Sequence, residues 1–308
     1  MQNVIGASRR LGLRALAALA VLMLLLPGEA EAGSQDAKRI VAIGSAVVET
    51  LYALGVEDRI AAIDTTAVYP ARALKEKPNV GYMRALSAEG VLALDPDLII
   101  AEEGAGPANV VEVLKQASVP YVTIPRTPTA DGLEDAIRLI GRTVGKEKEA
   151  DEIASAVGED LAMVSRDVAK VEKPVRVLFA LSFTGGRVMA AGRHTTAEGI
   201  IALAGARNAL EGFEGYKQAS DEAISTSAPE VVLSMAREGH AMTPETIFAT
   251  PAFSQTPAAE KKRFIAMNGT LLLGFGPRTA KAAHELARAL YPDLALTPLP
   301  ERAWTKDD

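Results

Sequence analysis

Cysteine is absent from the 308 residues of this chain. The chain therefore has no disulfide bond, no thiolate metal site and no cysteine to carry a lipid after a signal sequence. It has three histidines, and no two of them have the i, i+4 spacing of a zinc-binding helix. Dinucleotide-binding, P-loop and GxSxG motifs are also missing. The sequence thus offers no recognisable catalytic residues, and we expect a protein that is not an enzyme.

Positive charge is in the minority, with 33 basic against 39 acidic residues and a net charge of −6. An acidic protein is a poor candidate for nucleic-acid binding, so we expect no such partner. A basic cluster in such a chain is local and therefore informative. One cluster follows a tyrosine in the loop "DTTAVYPARALKEKP".

The first 32 residues have the layout of a secretory signal peptide. Three arginines (Arg9, Arg10 and Arg14) precede an apolar run over residues 15–26, and the small-residue site "AEA" ends at Ala32. The run is shorter than the roughly 20 residues of a membrane span, although an uncleaved anchor remains the alternative. We expect cleavage near Ala32 and export to the periplasm by the Sec or the twin-arginine route.

The rest of the chain alternates apolar, β-branched strands with helices. Strands are predicted at "RIVAIG", "RIAAID", "PDLIIAE" and "PYVTIP", and again at "VRVLFAL", "EVVLSM" and "RFIAMN". Such alternation is typical of parallel sheets covered by helices on both faces. We therefore predict an α/β fold of two Rossmann-like lobes (33–145 and 173–308), joined by one long helix over 146–172, with the ligand cleft between the lobes.

A short internal repeat supports two related lobes. The first half contains "LSAEGVLALDPDLII" and the second "ASDEAISTSAPEVVL". Ser87 and Glu89 match Ser220 and Glu222 in spacing, and each pair stands where a helix begins. Clefts between domains are the usual place for a small-molecule site.

The chain resembles the class III periplasmic binding proteins of ABC importers, and within them the haemin-binding branch. The segments that carry the resemblance are "YP", "VGYMRALSAEGVLALDPDLIIA", "MAAGRHTTAEGIIALAGARNA" and "EGYKQASDEAI". The resemblance implies that the protein captures haem and delivers it to an inner-membrane permease dimer with its ATPase. It also implies an outer-membrane haem receptor system upstream.

The resemblance implies that Tyr69 is the axial ligand of the haem iron. Ferric iron is a hard cation, and tyrosine is one of the residues that hold haem iron. Either Arg72 or Arg84 could donate to the Tyr69 oxygen and bind the haem propionates, since guanidinium groups recognise carboxylates in bidentate fashion. His194 is the candidate for a second stacked haem. The further pocket candidates are Lys75, Lys77, Arg193, Tyr216 and Lys217.

Glu89 and Glu222 have a separate implied role, in which one glutamate on each lobe meets arginines of the permease. Both residues also suit the first turn of a helix, where the helix dipole favours an acid. Two other readings of the chain remain open. The same fold could bind a ferric siderophore or a corrinoid, or the cleft could belong to a hydrolase.

Overall fold

A computed structural model describes residues 35–236 and 242–306 of the chain. The predicted signal peptide, 1–32, lies outside the described residues. No helix in these two ranges is both long and apolar enough to cross a membrane.

The N-terminal lobe is built on a four-stranded parallel sheet of order β2-β1-β3-β4. Its strands are β1 (Ile40–Ile43), β2 (Ile60–Ile63), β3 (Leu98–Glu102) and β4 (Tyr121–Ile124). All residues of β1 and β3 are buried, as expected for central strands covered on both faces. The helices are α1 (Ser45–Ala53), α2 (Ala73–Glu76), α3 (Ala88–Leu92), α4 (Ala108–Gln116) and α5 (Ala130–Thr143), with a 3-10 turn at Glu57–Arg59.

The connection between the lobes is the 22-residue helix α6 (Glu147–Val168). At 1.5 Å per residue it spans about 33 Å. Its buried residues recur at helical spacing along one face, which packs on α5. The two helices approach closely at Gly141, where a Cβ atom would overlap the side chain of Ala150. The connection is therefore a packed helix rather than a loose linker.

The C-terminal lobe has a six-stranded mixed sheet of order β10-β9-β5-β6-β8, with β7 also paired to β5. Its strands are β5 (Arg176–Thr184), β6 (Arg187–Ala191), β7 (Arg207–Asn208), β8 (Tyr216–Gln218), β9 (Val231–Ala236) and β10 (Phe264–Asn268). The pairs β10–β9, β9–β5 and β5–β7 are parallel, whereas β6 runs antiparallel to β5 and β8. The prediction of a two-lobe α/β fold is confirmed. The prediction did not include the antiparallel strands β6 and β8 at one edge of this sheet.

Helices of the C-terminal lobe cover this sheet and pack against α6. They are α7 (Thr196–Leu203), α8 (Asp221–Ser227), α9 (Pro244–Phe248), α10 (Pro251–Ser254), α11 (Pro257–Glu260), α12 (Gly269–Leu273) and α13 (Thr279–Leu290), with a 3-10 turn at Ala303–Thr305. The predicted repeat has a structural counterpart. Ser87 caps α3 by accepting from Gly90 N (3.2 Å), and Ser220 caps α8 by accepting from Ala223 N (3.1 Å).

A buried ion pair joins the two lobes. Glu49 of α1 accepts from the main-chain N (2.8 Å) and from Nε (3.0 Å) of Arg278, the residue that precedes α13. The two side chains are almost completely buried. Burial raises the pKa of Glu49, and the guanidinium of Arg278 opposes that shift. The pair fixes the start of the last helix to the first helix of the opposite lobe.

The C-terminal tail adds to this junction. Arg302 binds Asp160 of α6 through Nε (3.0 Å) and Nη2 (2.7 Å), and Asp167 accepts from the main-chain N of Thr297 (2.6 Å). The indole of Trp304 donates to Pro277 O at 3.2 Å. The tail therefore returns along the connecting helix to the residue beside Arg278.

Candidate functional site

A cavity of about 740 Å³ lies between the lobes. On the N-terminal side it is reached by the carboxyl ends of the parallel strands, where α/β sheets usually bind ligands. Its N-terminal lining is Ser45, Thr65, Thr66, Val68, Tyr82, Met83, Arg84, Glu102 and Arg126. Its C-terminal lining is Leu181, Thr196, Tyr216, Met235, Ala236, Asn268, Gly269, Thr270, Leu273 and Gly274.

Tyr82 and Arg84 form a pair at the mouth of this cleft. The guanidinium Nη1 of Arg84 donates to the Tyr82 hydroxyl at 2.8 Å, and its carbon lies 5.9 Å from the ring centroid. Tyr82 is 45% exposed, so its oxygen has room to contact a ligand. The pair places a phenol oxygen and a fixed positive charge on the same cleft wall.

Backbone bonds and two buried neighbours hold this pair in place. Met83 and Leu86 are buried in the N-terminal lobe. Gly106 donates from its N to Met83 O (2.9 Å) and accepts from Leu86 N (2.9 Å). Met83 belongs to a buried cluster of the N-terminal lobe and also lines the cleft, so it anchors the loop that carries Tyr82 and Arg84.

The floor of the cleft carries buried charge. Glu102, at the end of β3, accepts from Ala46 N at 2.7 Å. Burial raises the pKa of Glu102, although the Arg126 guanidinium and the Ala46 N–H act in the opposite direction. Nearby, Asp64 is fully buried and accepts from Gly44 N (2.8 Å) and Thr66 N (2.9 Å). These acids hold the loops after β1 and β2 in the shape that forms the floor.

The opposite wall presents Tyr216 of β8. Its hydroxyl lies 3.4 Å from Thr196 Oγ1, and its ring meets Phe179 edge-on with centroids 6.4 Å apart. The cleft is therefore flanked by one tyrosine from each lobe, Tyr82 and Tyr216.

The structure does not place Tyr69 in the cleft, contrary to the expectation from sequence. Its ring lies on the guanidinium of Arg278, 3.3 Å from carbon to ring centroid. Its hydroxyl donates to the main-chain oxygens of Trp304 (2.9 Å) and Lys306 (2.6 Å). The geometry argues against Tyr69 as the cleft ligand, because its oxygen is engaged by the C-terminal tail and lines a separate recess of about 180 Å³.

Arg72 shares that separate recess and does not line the cleft. Its guanidinium forms ion pairs with Glu57 (3.5 Å) and Glu76 (3.8 Å) and lies 5.2 Å from the ring centroid of Tyr52. These contacts direct the side chain away from any ligand held between the lobes. Lys75 and Lys77 of the same loop are likewise outside the cleft lining.

Arg193, His194 and Lys217 also fall outside the cleft lining. Arg193 Nη2 and His194 Nε2 each lie 3.5 Å from the Glu214 carboxylate. Lys217 Nζ lies 6.0 Å from the ring centroid of Phe213. Of the pocket residues predicted from sequence, only Arg84 and Tyr216 therefore line the cleft. Three further residues of the cleft lining were not predicted as site residues: Tyr82, Glu102 and Arg126.

Glu89 and Glu222 occupy matching positions on the two lobes. Each is the second residue of a short helix, α3 or α8, and each is exposed. Neither lines the cleft. Both side chains are therefore accessible from solvent.

The model of the periplasmic binding protein family matches residues 40–270, and the chain belongs to this family of substrate-binding transport proteins. The names of several similar proteins also specify a ligand. The solved structure of the periplasmic haem-binding protein BhuT, in complex with two haems, is 38% identical with a TM-score of 0.77, and the match covers 84% of this chain and 99% of that chain.

A periplasmic haem-binding protein from Pseudomonas aeruginosa is 32% identical with a TM-score of 0.76, over 85% of this chain and 96% of that chain. The vitamin B12-binding protein of Vibrio parahaemolyticus is 26% identical over 254 residues, which cover 82% of this chain and 89% of that protein. The relatives thus include proteins named for haem binding and a protein named for vitamin B12 binding.

Proposed function

We propose that this protein is a periplasmic haem carrier that holds haem between its lobes and delivers it to an ABC importer of the inner membrane. The observation that carries the proposal is the Tyr82–Arg84 pair at the cleft, with the phenol oxygen 2.8 Å from the guanidinium. The similarity to haem-binding structures at 32–38% identity supports the same ligand.

The chemistry of the pair suits ferric haem. Tyrosine is an established ligand of haem iron, and a phenolate oxygen is a hard donor for a hard cation. The guanidinium of Arg84, 2.8 Å from the phenol oxygen, can donate a hydrogen bond to that oxygen when it is bound to iron. The cleft, about 740 Å³, lies within the usual range of small-molecule sites. Tyr82 is thus proposed as the axial ligand, in place of Tyr69, with Tyr216 as a contact from the opposite lobe.

A corrinoid is the second candidate ligand, because vitamin B12-binding proteins are among the relatives. The mature protein should be titrated separately with haemin and with cyanocobalamin. We expect saturable haemin binding with a five-coordinate, high-spin spectrum of the tyrosinate type. Tight binding of cyanocobalamin without a defined haemin complex would show that the ligand is a corrinoid and not haem.

Delivery is proposed to involve Glu89 and Glu222 as docking residues for the permease. In liposomes that contain the permease and its ATPase, Glu89→Ala combined with Glu222→Ala should lower haem transfer and leave haem affinity unchanged. Exposed ion pairs contribute about 0–1 kcal/mol each, so the loss should be several-fold and should shrink as salt is added.

The matched control removes exposed acids from the opposite edge of each lobe. Asp58 and Glu260 precede β2 and β10, and both are exposed. Asp58→Ala with Glu260→Ala makes the same change in net charge and should not affect transfer. Equal haem transfer by wild type and the Glu89/Glu222 variant would mean that the two residues do not dock to the permease and only favour the helix start. A loss of haem affinity would instead place them in the binding site.

A further inference from the structure

Two positively charged side chains, Arg84 and Arg126, line the cleft in the described part of the chain. Arg84 already donates to Tyr82. Arg126 is two residues beyond the end of β4, at the carboxyl edge of the sheet, and its main-chain N donates to Glu103 Oε2 at 3.1 Å. The backbone is thus anchored while the guanidinium lies at the cleft floor.

The guanidinium of Arg126 uses little of its donor capacity. A guanidinium has five N–H donors. The hydrogen bond described for this one is a long contact of 3.4 Å from Nη2 to Leu273 O of the opposite lobe. Its Nε atom is buried and has no hydrogen-bond partner in the described residues. Buried donors without an acceptor are rare in folded proteins, so this arrangement points to an acceptor supplied by the ligand.

The neighbouring acid does not supply that acceptor. Glu102 directs a carboxylate oxygen to Ala46 N at 2.7 Å, and no ion pair with Arg126 within 4.0 Å is found in the described residues. Burial raises the pKa of Glu102, and the charge of Arg126 opposes that shift without a direct contact between the two side chains. Arg126 therefore presents a positive charge at the floor of the cleft.

We infer that Arg126 binds a carboxylate of the ligand and makes the cleft selective for tetrapyrroles that carry free carboxylates. A guanidinium matches a carboxylate through two parallel hydrogen bonds. A porphyrin with propionate groups supplies such a partner, whereas a corrin ring carries neutral amides at its edge. This inference rests on the proposed haem-binding function and specifies which chemical feature of the ligand is recognised.

The test compares haemin with haemin dimethyl ester, in which both carboxylates are blocked and the iron is unchanged. Arg126→Met should weaken haemin binding about ten- to a hundredfold, as expected for loss of a charge-assisted hydrogen bond. The same substitution should change the affinity for the ester by less than about twofold. The ester has no free carboxylate to accept a hydrogen bond from Arg126, so removal of the guanidinium loses no such bond. Arg142→Met, an exposed arginine on α5 outside the cleft lining, is the matched control and should leave both affinities unchanged.

Arg126→Lys keeps the charge and should keep a preference for haemin over the ester, which guards against a folding defect in the methionine variant. An equal loss for both ligands in both variants would mean that Arg126 only supports the structure. Unchanged haemin affinity in Arg126→Met would overturn the inference and leave haem binding intact. Failure of the wild type to bind haemin would overturn the proposed function, and the inference with it.

Discussion

Replacement of Tyr82 by phenylalanine is expected to weaken haemin binding by more than about a hundredfold and to remove the tyrosinate charge-transfer band. The substitution deletes one oxygen, the proposed bond to iron, and keeps the aromatic ring. Changes in groups that merely support a metal ligand cost about ten- to a hundredfold, so loss of the ligand itself should exceed that range. Optical titration and the spectrum at saturation measure both effects.

Two further variants make this result specific. Arg84→Met should fall within the ten- to hundredfold range, because Arg84 acts on the ligand oxygen from 2.8 Å. Tyr69→Phe should leave the spectrum unchanged, because the Tyr69 hydroxyl is bonded to the tail at Trp304 and Lys306. An unaltered spectrum in Tyr82→Phe with a lost band in Tyr69→Phe would restore the assignment from sequence.

Replacement of Arg278 by methionine is expected to cause the largest loss of stability. It removes the guanidinium from the buried carboxylate of Glu49 at the junction between the lobes and leaves only the main-chain N of residue 278 as a donor. Loss of one member of a buried ion pair typically costs about 3–5 kcal/mol. Urea unfolding, followed by circular dichroism, should therefore show a clear decrease in the midpoint.

The double variant Glu49→Leu with Arg278→Met separates charge from packing. Replacing both members of a buried pair by apolar residues is often neutral or stabilising, so this variant should be more stable than Arg278→Met alone. Tyr69→Phe should cost about 1 kcal/mol, the usual net contribution of a hydrogen bond. If Arg278→Met unfolds at the wild-type urea concentration, the Glu49–Arg278 pair does not hold the lobes together.

Sequence patterns predicted the lobes because their signals are local. The central strand β1 and the first four residues of β3 are continuous apolar runs, and such runs are typical of parallel strands covered on both faces. The antiparallel strand β8 was harder to recognise. Its three residues, Tyr216–Gln218, are all exposed and polar or aromatic, so neither an apolar run nor an alternation marks them as a strand.

The site was harder to predict than the fold because Tyr69 and Tyr82 are close in sequence but lie in different places. Tyr69 contacts the C-terminal tail, whereas Tyr82 lines the cleft. Tyr69 stands beside more positive charge in the sequence, yet its partners are carbonyl groups 235 and 237 residues further along the chain. No local pattern shows such a contact. A usable sequence signal for Tyr82 was its spacing of two residues from Arg84, which allows the hydrogen bond between the two side chains. Arg126 gave a weaker signal, a cation just beyond the carboxyl end of a predicted strand.

The most direct test of haem binding at Tyr82 is the position of iron in crystals of the mature protein grown with haemin. An anomalous difference map, recorded at the iron absorption edge, locates the metal independently of the porphyrin density. We expect an iron peak in the cleft between the lobes, within bonding distance of the Tyr82 oxygen, with Arg126 beside a propionate. An iron peak beside Tyr69, or outside the cleft, would contradict the account.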